Sequence, residues 1–146
     1  MLNRWVERDG LKDTLKDLGV GSIAFTPLAQ GLLSKKYLGG IPDGSRATQN
    51  SSLSADLITD EMISALNGLN AIASGRGQTL AQMAISWVLR DEGITTALIG
   101  ASKASQIIDC AGAVANLDFT AAELAEIDKF ANDKGLNLWV TSSEGV

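Results

Sequence analysis

The chain contains no histidine and only one cysteine, Cys110, among its 146 residues. Without histidine, neither a Ser-His-Asp triad nor a Cys-His pair can be assembled from this chain. Histidine-ligated zinc sites are excluded for the same reason, and one cysteine forms neither a thiolate cluster nor an internal disulfide. A general acid or base must therefore be a carboxylate, a lysine or the single tyrosine, Tyr37. The scarcity of cysteine favours a cytoplasmic location.

Basic runs and long apolar runs are also missing. The chain has 12 Lys and Arg residues and 17 Asp and Glu residues, so its net charge is −5. This charge argues against a nucleic-acid or anionic-membrane surface. No stretch of about 18 apolar residues exists, so we expect no membrane insertion. The first ten residues are too charged for a signal peptide. The length suits one domain and excludes a complete (β/α)₈ barrel, which needs about 250 residues.

The hydrophobic pattern that remains is typical of an α/β chain with many helices and two clear strands. Short apolar runs at 22–26 and 94–99, next to glycine or proline, predict buried strands. Capping residues and apolar stripes predict helices over 11–18, 60–74, the segment after Thr79, 103–114 and 121–130. Residues 28–58 form a long irregular segment, and a loop of this length is usually functional or disordered.

Two strand–loop–helix junctions, at 25–31 and 98–103, are candidate anion sites. Both follow strand ends, where ligands bind in α/β folds, so one phosphate-rich ligand could touch both. Ser102 offers a hydroxyl and Lys103 a charge, and Gln106 and Asp109 follow on nearly the same helix face. An ordinary turn and a capped helix with surface polar residues explain the same pattern, so both interpretations stay open.

Four further side chains also have two interpretations each. Lys36 and Arg46 lie in the long segment, where they either close over a ligand or remain solvated. Phe25 either stacks on a planar ring or belongs to the core. Cys110 follows the apolar face of its helix, which indicates a small buried residue rather than a reactive thiol.

Several runs resemble aldo-keto reductases, in particular the potassium-channel beta-subunit-like branch and, within it, bacterial glyceraldehyde-phosphate reductases. The resemblance rests on GVGSIAFTPLAQGLL at 19–33, Lys36-Tyr37, Ile41-Pro42, Ser45-Arg46, AQMAISWVL at 81–89, IGAS at 99–102 and LNLW at 136–139. It implies an α/β fold that is the C-terminal portion of a (β/α)₈ TIM barrel. Residues 1–146 would form a single NADPH-binding segment with a cofactor loop at 28–58 and a C-terminal tail at 135–146.

The resemblance also implies a site for NADP(H). Phe25 would line the nicotinamide end, and the pyrophosphate would be cradled by Thr26, Pro27, Leu28, Ala29 and Gln30. Lys36 and Arg46 match loop residues that hold the cofactor. The group around the 2′-phosphate and adenine matches Gly100, Ser102, Gln106 and Asp109. Cys110 departs from this pattern, because relatives carry asparagine there, and Lys103 is an electrostatic prediction rather than a family match.

The family's catalytic Asp, Tyr, Lys and His lie in the first half of the barrel, and Tyr37 falls in the cofactor loop instead. We therefore expect the C-terminal fragment of a reductase of small aldehydes such as glyceraldehyde 3-phosphate or methylglyoxal. It would bind cofactor, hold no metal and be inactive alone. A non-catalytic NADPH-binding or protein-binding regulatory module is the alternative, and a proteolytic or internal-start product is a third. Open strand edges predict self-association.

Overall fold

The computed structural model describes residues 1–48 and 53–131 of the chain. These ranges contain six α-helices and two short strands. The helices are α1 (Trp5–Arg8), α2 (Leu11–Asp17), α3 (Asp60–Gly75), α4 (Leu80–Val88), α5 (Ala104–Ala111) and α6 (Ala121–Phe130), and the strands are β1 (Ile23–Phe25) and β2 (Thr96–Leu98). The predicted tail at 135–146 lies outside the described residues.

The strands pair in parallel, as an α/β repeat requires. Ile23 lies opposite Thr96, and Phe25 lies opposite Leu98. The pairing begins one residue earlier, because the N–H groups of Thr95 and Thr96 both donate to the carbonyl oxygen of Ser22, at 3.0 and 3.2 Å. Both strands occur where the sequence predicts them, although each has only three residues.

The prediction that these strands are buried is wrong. Ile23, Phe25 and Leu98 are each more than 60% exposed, whereas Ala24 and Ala97 on the opposite face are half-buried. Ala97 packs against the small cluster formed by Ile85, Cys110 and Ala113. An apolar run tells us that a strand suits burial, but not which elements cover it. Within the part of the chain that the structure describes, the sheet has two strands and helices cover one face.

The main core lies between α3, α4 and α6. The predicted stripe of α3 is buried at Met62, Leu66, Leu69 and Ala73, and Trp87 of α4 is buried as expected. Three threonines begin the helices as predicted, since the hydroxyl oxygens of Thr59, Thr79 and Thr120 accept backbone N–H groups of the first turn. Thr79 and Thr120 complete capping boxes.

The helix predicted over 103–114 is shorter than expected, and Ser102 does not cap it. Helix α5 ends at Ala111, and a 3₁₀ turn covers Gly112–Ala115. The side-chain oxygen of Gln106 instead accepts the N–H groups of Ser102 and Lys103, at 2.9 and 3.2 Å. Helix α5 begins one residue later than predicted, so Lys103 and not Ser102 occupies the N-cap position. Cys110 is buried, as predicted.

Candidate functional site

The carboxyl ends of β1 and β2 lie side by side, because the two strands are parallel and Phe25 is in register with Leu98. The chain therefore leaves the sheet at one edge in both places, first at 26–31 and later at 99–103. This arrangement brings the two predicted anion-binding junctions to the same edge. In α/β folds, that edge is where ligands bind.

The loop after β1 has an unusual backbone. Thr26, Ala29 and Gln30 have φ angles of 54°, 47° and 59°, which lie in the left-handed region that glycine prefers. Each such residue costs about 1–3 kcal/mol, so the surrounding contacts must hold it. The N–H of Ala29 donates to the Thr26 carbonyl at 2.9 Å, and the N–H of Gly31 donates to the Leu28 carbonyl at 2.9 Å. Clustered backbone strain is a signature of functional loops.

Three of the side chains at 26–30 pack against the protein, and Thr26 and Gln30 are half-exposed. Pro27 and Ala29 are buried, and Leu28 packs against both hydrophobic clusters. Leu28 has φ −94° and ψ 9°, and the left-handed Ala29 follows it directly. A right-handed residue followed by a left-handed one turns successive N–H groups toward one concavity, which is a common anion site.

Phe25 ends β1 beside this loop and is 61% exposed. A large aromatic side chain at the mouth of the candidate site offers a flat apolar surface for a planar ring. In the described structure Phe25 does not belong to the core, so that interpretation of the sequence is wrong. The cause is the uncovered sheet face, on which Phe25 lies together with Ile23 and Leu98.

A cavity of about 370 Å³ brings together two residues that the sequence places far apart, Lys36 and Asp109. Ser34, Lys35, Thr79 and Ala81 complete its lining. The Thr79 hydroxyl lies 3.3 Å from each carboxylate oxygen of Asp109 and donates to that side chain. One wall therefore carries two lysines and the other a carboxylate. Such a cavity suits a ligand that has both phosphate oxygens and hydrogen-bond donors.

Sequence reasoning missed three residues of this cavity: Ser34, Lys35 and Thr79. The Ser34 hydroxyl donates to the Gly31 carbonyl at 2.6 Å and accepts the Lys36 N–H at 3.3 Å, which fixes the turn that carries both lysines. A signal was present, since Ser34 begins a lysine pair and Thr79 begins a capping box. Each of these signals was interpreted as local structure only.

The turn after β2 places its polar residues at the surface. Gly100, Ser102 and Lys103 are exposed, as expected for an open anion site. The Gln106 oxygen already accepts three donors here, because the Ser102 hydroxyl lies 3.3 Å from it in addition to the two N–H groups. A phosphate that uses these donors must therefore displace the Gln106 side chain.

The structure gives only the backbone position of Arg46, which begins a 3₁₀ turn over Arg46–Thr48. The motif at 136–139 lies outside the described residues. Tyr37 is fully buried with Leu32 and Leu33 in the main core, and its hydroxyl has no hydrogen-bond partner among the described residues. These apolar residues hold the first part of the long loop against the protein. The long segment is therefore packed in its described part, 28–48 and 53–58.

The described residues contain neither a cluster of potential metal ligands nor a membrane-spanning helix. Across residues 1–48 and 53–131, no group of three potential metal-binding side chains comes together. In the same ranges, no helix has both the length and the apolar character that a membrane crossing requires.

Burial, assisted by the neighbouring Asp109 carboxylate, raises the pKa of the Cys110 thiol. A protonated thiol in the core is a poor nucleophile.

Comparison with known proteins defines the class of this chain. The sequence model of the aldo/keto reductase family matches residues 1–132, so the chain belongs to the aldo/keto reductase family. It is also similar to L-glyceraldehyde 3-phosphate reductases of Escherichia coli O157:H7 and of Escherichia coli strain K12. Identity to each is 49% over 148 residues, which is 99% of this chain and 43% of either relative. The chain thus spans less than half of these relatives.

A solved structure shows the same fold. The aldo-keto reductase AKR11C1 from Bacillus halodurans, in its holo form, superposes with a TM-score of 0.65 at 24% identity. The match covers 90% of this chain and 40% of that one. The expected fold is therefore confirmed: the chain is a helix-rich part of a (β/α)₈ barrel with two parallel strands.

Proposed function

We propose that this chain is the cofactor-binding part of an NADPH-dependent aldo-keto reductase that reduces small aldehydes such as glyceraldehyde 3-phosphate or methylglyoxal. The observation that carries the proposal is the left-handed backbone of Thr26, Ala29 and Gln30 at the strand edge shared by both junctions. The 49% identity to L-glyceraldehyde 3-phosphate reductases supports the substrate class. The family and the single cysteine also lead us to propose a cytoplasmic location.

The first loop would hold the middle of the cofactor. Thr26, Pro27, Leu28, Ala29 and Gln30 would cradle the pyrophosphate, with the Leu28 N–H facing it. Pro27 has no N–H, and the Ala29 N–H would first have to leave the Thr26 carbonyl. Phe25 would cover the nicotinamide. Lys36 would add positive charge from the cavity, and Arg46 would add it from the following turn, since cations pair strongly with phosphate oxygens.

The second junction would hold the adenosine end. Gly100 allows close approach of the ligand, and Ser102 and Lys103 would bind the 2′-phosphate once Gln106 has turned away from their N–H groups. Gln106 and Asp109 would then face the adenine, with the exocyclic amine donating to the Asp109 carboxylate. The cation at Lys103 favours the phosphorylated cofactor over NADH.

The described part of the chain places neither a tyrosine nor a histidine proton donor, the two that the family resemblance implies, near this site. When bound, NADPH supplies the hydride, whereas the proton must come from an acidic side chain. Tyr37 is fully buried, and the sequence has no histidine. We therefore propose that the chain alone does not reduce aldehydes. The test is to incubate it with NADPH and methylglyoxal and to follow NADPH absorbance. Rapid turnover would contradict this part of the proposal.

Binding is tested by titrating the purified chain with NADPH and following cofactor fluorescence. We expect micromolar affinity, and Lys36→Ala should weaken it roughly tenfold, equivalent to one lost charge-assisted contact of about 1.4 kcal/mol. Lys16→Ala is the matched control, because it removes the same charge from exposed helix α2. No binding by the chain, or equal losses in both variants, would overturn the site assignment.

The alternative, a regulatory module that binds NADPH or a protein without chemistry, is favoured by the same missing proton donor. The two candidates differ when the rest of a reductase is supplied. A fragment of an enzyme should then contribute to turnover, whereas a regulatory module should only bind.

A further inference from the structure

The start of helix α4 contacts Asp109 of helix α5 through both residues of its capping box. The Thr79 hydroxyl accepts the Gln82 N–H at 3.1 Å and lies 3.3 Å from each carboxylate oxygen of Asp109, to which it donates. The Gln82 side chain accepts the Thr79 N–H at 3.0 Å and donates to the backbone carbonyl of Asp109 at 2.9 Å. Helix α4 therefore holds Asp109 by its backbone and by its side chain.

The capping box of α6 shows that this second contact is not a general property of such boxes. There the Thr120 hydroxyl donates at 2.9 Å to the carboxylate of Glu123, which belongs to the same box. In α4 the residue that corresponds to Glu123 is Gln82, and the Thr79 hydroxyl donates to Asp109 instead. Thr79 therefore contacts a residue outside its own helix in addition to capping that helix.

The Gln82 amide lies in a confined space between the two helices. A Cβ placed at Gly112, directly after α5, would lie 2.6 Å from the Nε2 atom of this amide. A side chain at position 112 would therefore displace the amide from the Asp109 carbonyl. The close approach of α4 to Gly112 thus fixes the backbone of Asp109, and the Thr79 hydroxyl limits the directions that its carboxylate can take.

The Asp109 carboxylate still has capacity for further hydrogen bonds. It is half-buried in the wall of the cavity that also contains Lys36, and among the described residues no lysine or arginine forms an ion pair with it. A carboxylate has about four acceptor positions, and the Thr79 hydroxyl uses one of them. A donor group of a ligand in the cavity can use the others. Orienting the carboxylate before the ligand arrives lowers the entropic cost of that contact.

We propose that Thr79 is a positioning residue for adenine recognition, which acts by orienting the Asp109 carboxylate toward the exocyclic amine of the base. This inference rests on the proposed NADPH site. Because a carboxylate only accepts hydrogen bonds, an oriented Asp109 favours a purine with an amino group over one with a carbonyl at the same carbon. Thr79 thereby contributes to the choice between two ligands that differ in a single group.

The test compares NADPH with its hypoxanthine analogue, in which a carbonyl replaces the exocyclic amine of adenine. Titration of the purified chain, followed by the fluorescence of the reduced nicotinamide, should show that NADPH binds about tenfold more tightly. We call this ratio of affinities the adenine preference. Thr79→Val should lower the adenine preference at least about threefold, because a mobile carboxylate loses entropy when it binds the amine.

Three further variants separate the contact with Asp109 from the capping of α4. Thr79→Ser keeps the hydroxyl and should keep the adenine preference. Thr79→Gly removes the hydroxyl at a smaller cost to the helix, because glycine is tolerated at N-caps, so it should lower the preference as Thr79→Val does. Thr120→Val is the matched control, because it removes the corresponding hydroxyl from the other capping box, which donates to Glu123.

A loss of the adenine preference that is confined to Thr79→Val and Thr79→Gly would support the proposal. The parental preference in both of these variants would overturn the role of Thr79 and leave the NADPH site intact. An equal loss in Thr79→Ser or in Thr120→Val would also overturn it, because the loss would then not follow the hydroxyl at position 79. Equal binding of the two cofactors by the parent, or no binding of either, would contradict the proposed adenine contact itself and this inference with it.

Discussion

At the scale of single residues, the loop after β1 contains three non-glycine residues with positive φ angles, a conformation that is unfavourable for most side chains. Of its three left-handed residues, Ala29 is the most informative, because it is buried and its N–H bonds to Thr26. The sequence predicts a loop here but not this conformation, since alanine and glutamine give no sign of a positive φ. The conformation arises from the turn hydrogen bonds and from the packing of Leu28 on both clusters, which are tertiary effects.

Ala29→Val should destabilise the fold by about 2 kcal/mol, because a β-branched residue is strained at this φ and the site is already packed. Ala29→Gly is the matched variant. It relieves strain of about 1 kcal/mol and loses one buried methyl worth about 0.8 kcal/mol, so its stability should be close to that of the parent. Urea unfolding measures both changes. Equal stability of Ala29→Val and the parent would show that the left-handed conformation is absent.

Cys110 should react slowly with a thiol reagent such as Ellman's reagent. Its side chain is buried, and burial with the nearby Asp109 charge raises its pKa, so little thiolate forms near neutral pH. Urea at concentrations above the unfolding midpoint should accelerate the reaction by at least tenfold. The chain has no second cysteine, so the signal reports this site alone. Fast modification under native conditions would contradict the placement of Cys110 in the core.

At the scale of helices, Arg76 connects the end of α3 to the start of α6. Its side chain is 4% exposed and pairs with Glu123 at 2.7 Å. It also donates to the Asp118 carbonyl at 2.9 Å and lies 3.7 Å from the centre of the Phe119 ring. The helices that it joins are predictable from their N-cap threonines and apolar stripes. This contact is not predictable, because a sequence separation of 47 residues carries no local signal.

Arg76→Ala should lower the free energy of unfolding by about 2–3 kcal/mol, because Glu123 and two backbone carbonyls lose a buried cationic donor. Arg76→Lys keeps the charge but not the planar fork of donors, so its loss should be smaller. Chemical denaturation of the two variants beside the parent provides the measurement. A loss in Arg76→Ala no larger than in Arg76→Lys would contradict this prediction and show that a positive charge without the fork of donors contributes nothing.

The same contact predicts a pH dependence. The Thr120 N–H, its hydroxyl and the Arg76 guanidinium hold the pKa of Glu123 below its ordinary value, against a smaller effect of burial. Because the folded-state pKa is lowered, the stabilisation is present above the unfolded value of about 4.3 and is lost as pH falls through the lower folded value. In Glu123→Gln, the free energy of unfolding measured in urea should therefore fall less between pH 7 and pH 3 than it does in the parent. An equal fall in both proteins would exclude Glu123 as a contributor.

Helices α3 and α6 pack closely at Gly68, because glycine has no Cβ atom there. A Cβ placed there would lie 2.4 Å from the Phe130 ring, so Gly68→Ala forces the ring to move. We expect a loss of about 1 kcal/mol in the parent, although alanine favours the helix, because overpacking costs about 1–3 kcal/mol. In a Phe130→Ala background, the same substitution should stabilise the protein by up to about 1 kcal/mol. A double-mutant cycle measured by urea unfolding tests this prediction. Additive changes in the free energy of unfolding would contradict the contact between Gly68 and Phe130.

At the scale of the whole molecule, the sequence predicts five of the six described α-helices, both strands and the family, because capping and periodicity are local signals. The four-residue helix α1 is not predicted, since it is too short to show a period. It does not predict that Phe25 and Leu98 are exposed, since burial of a strand depends on neighbours that local patterns cannot reveal. The cavity that joins Lys36 to Asp109 likewise depends on how the long loop packs against α4 and α5. The sequence therefore predicts which residues belong to the candidate site, but it does not predict the shape of the site.

Self-association of the isolated chain remains a prediction, and the exposed side chains of Ile23, Phe25 and Leu98 on one face of the sheet give it a physical basis. Contact between copies would remove this apolar surface from water. The net charge of −5 opposes this contact, so salt should strengthen it. Sedimentation velocity at increasing protein concentration should show growing species, with a larger effect in 0.5 M than in 0.05 M salt.

Ile23→Glu should suppress this association, and Ile108→Glu should not, because only the first variant places a charge on the sheet. Both substitutions replace an exposed isoleucine and add the same charge, so the difference between them isolates the surface used. A monodisperse monomer across the whole concentration range would contradict self-association. Association that survives Ile23→Glu would instead point to the exposed side chains of α5.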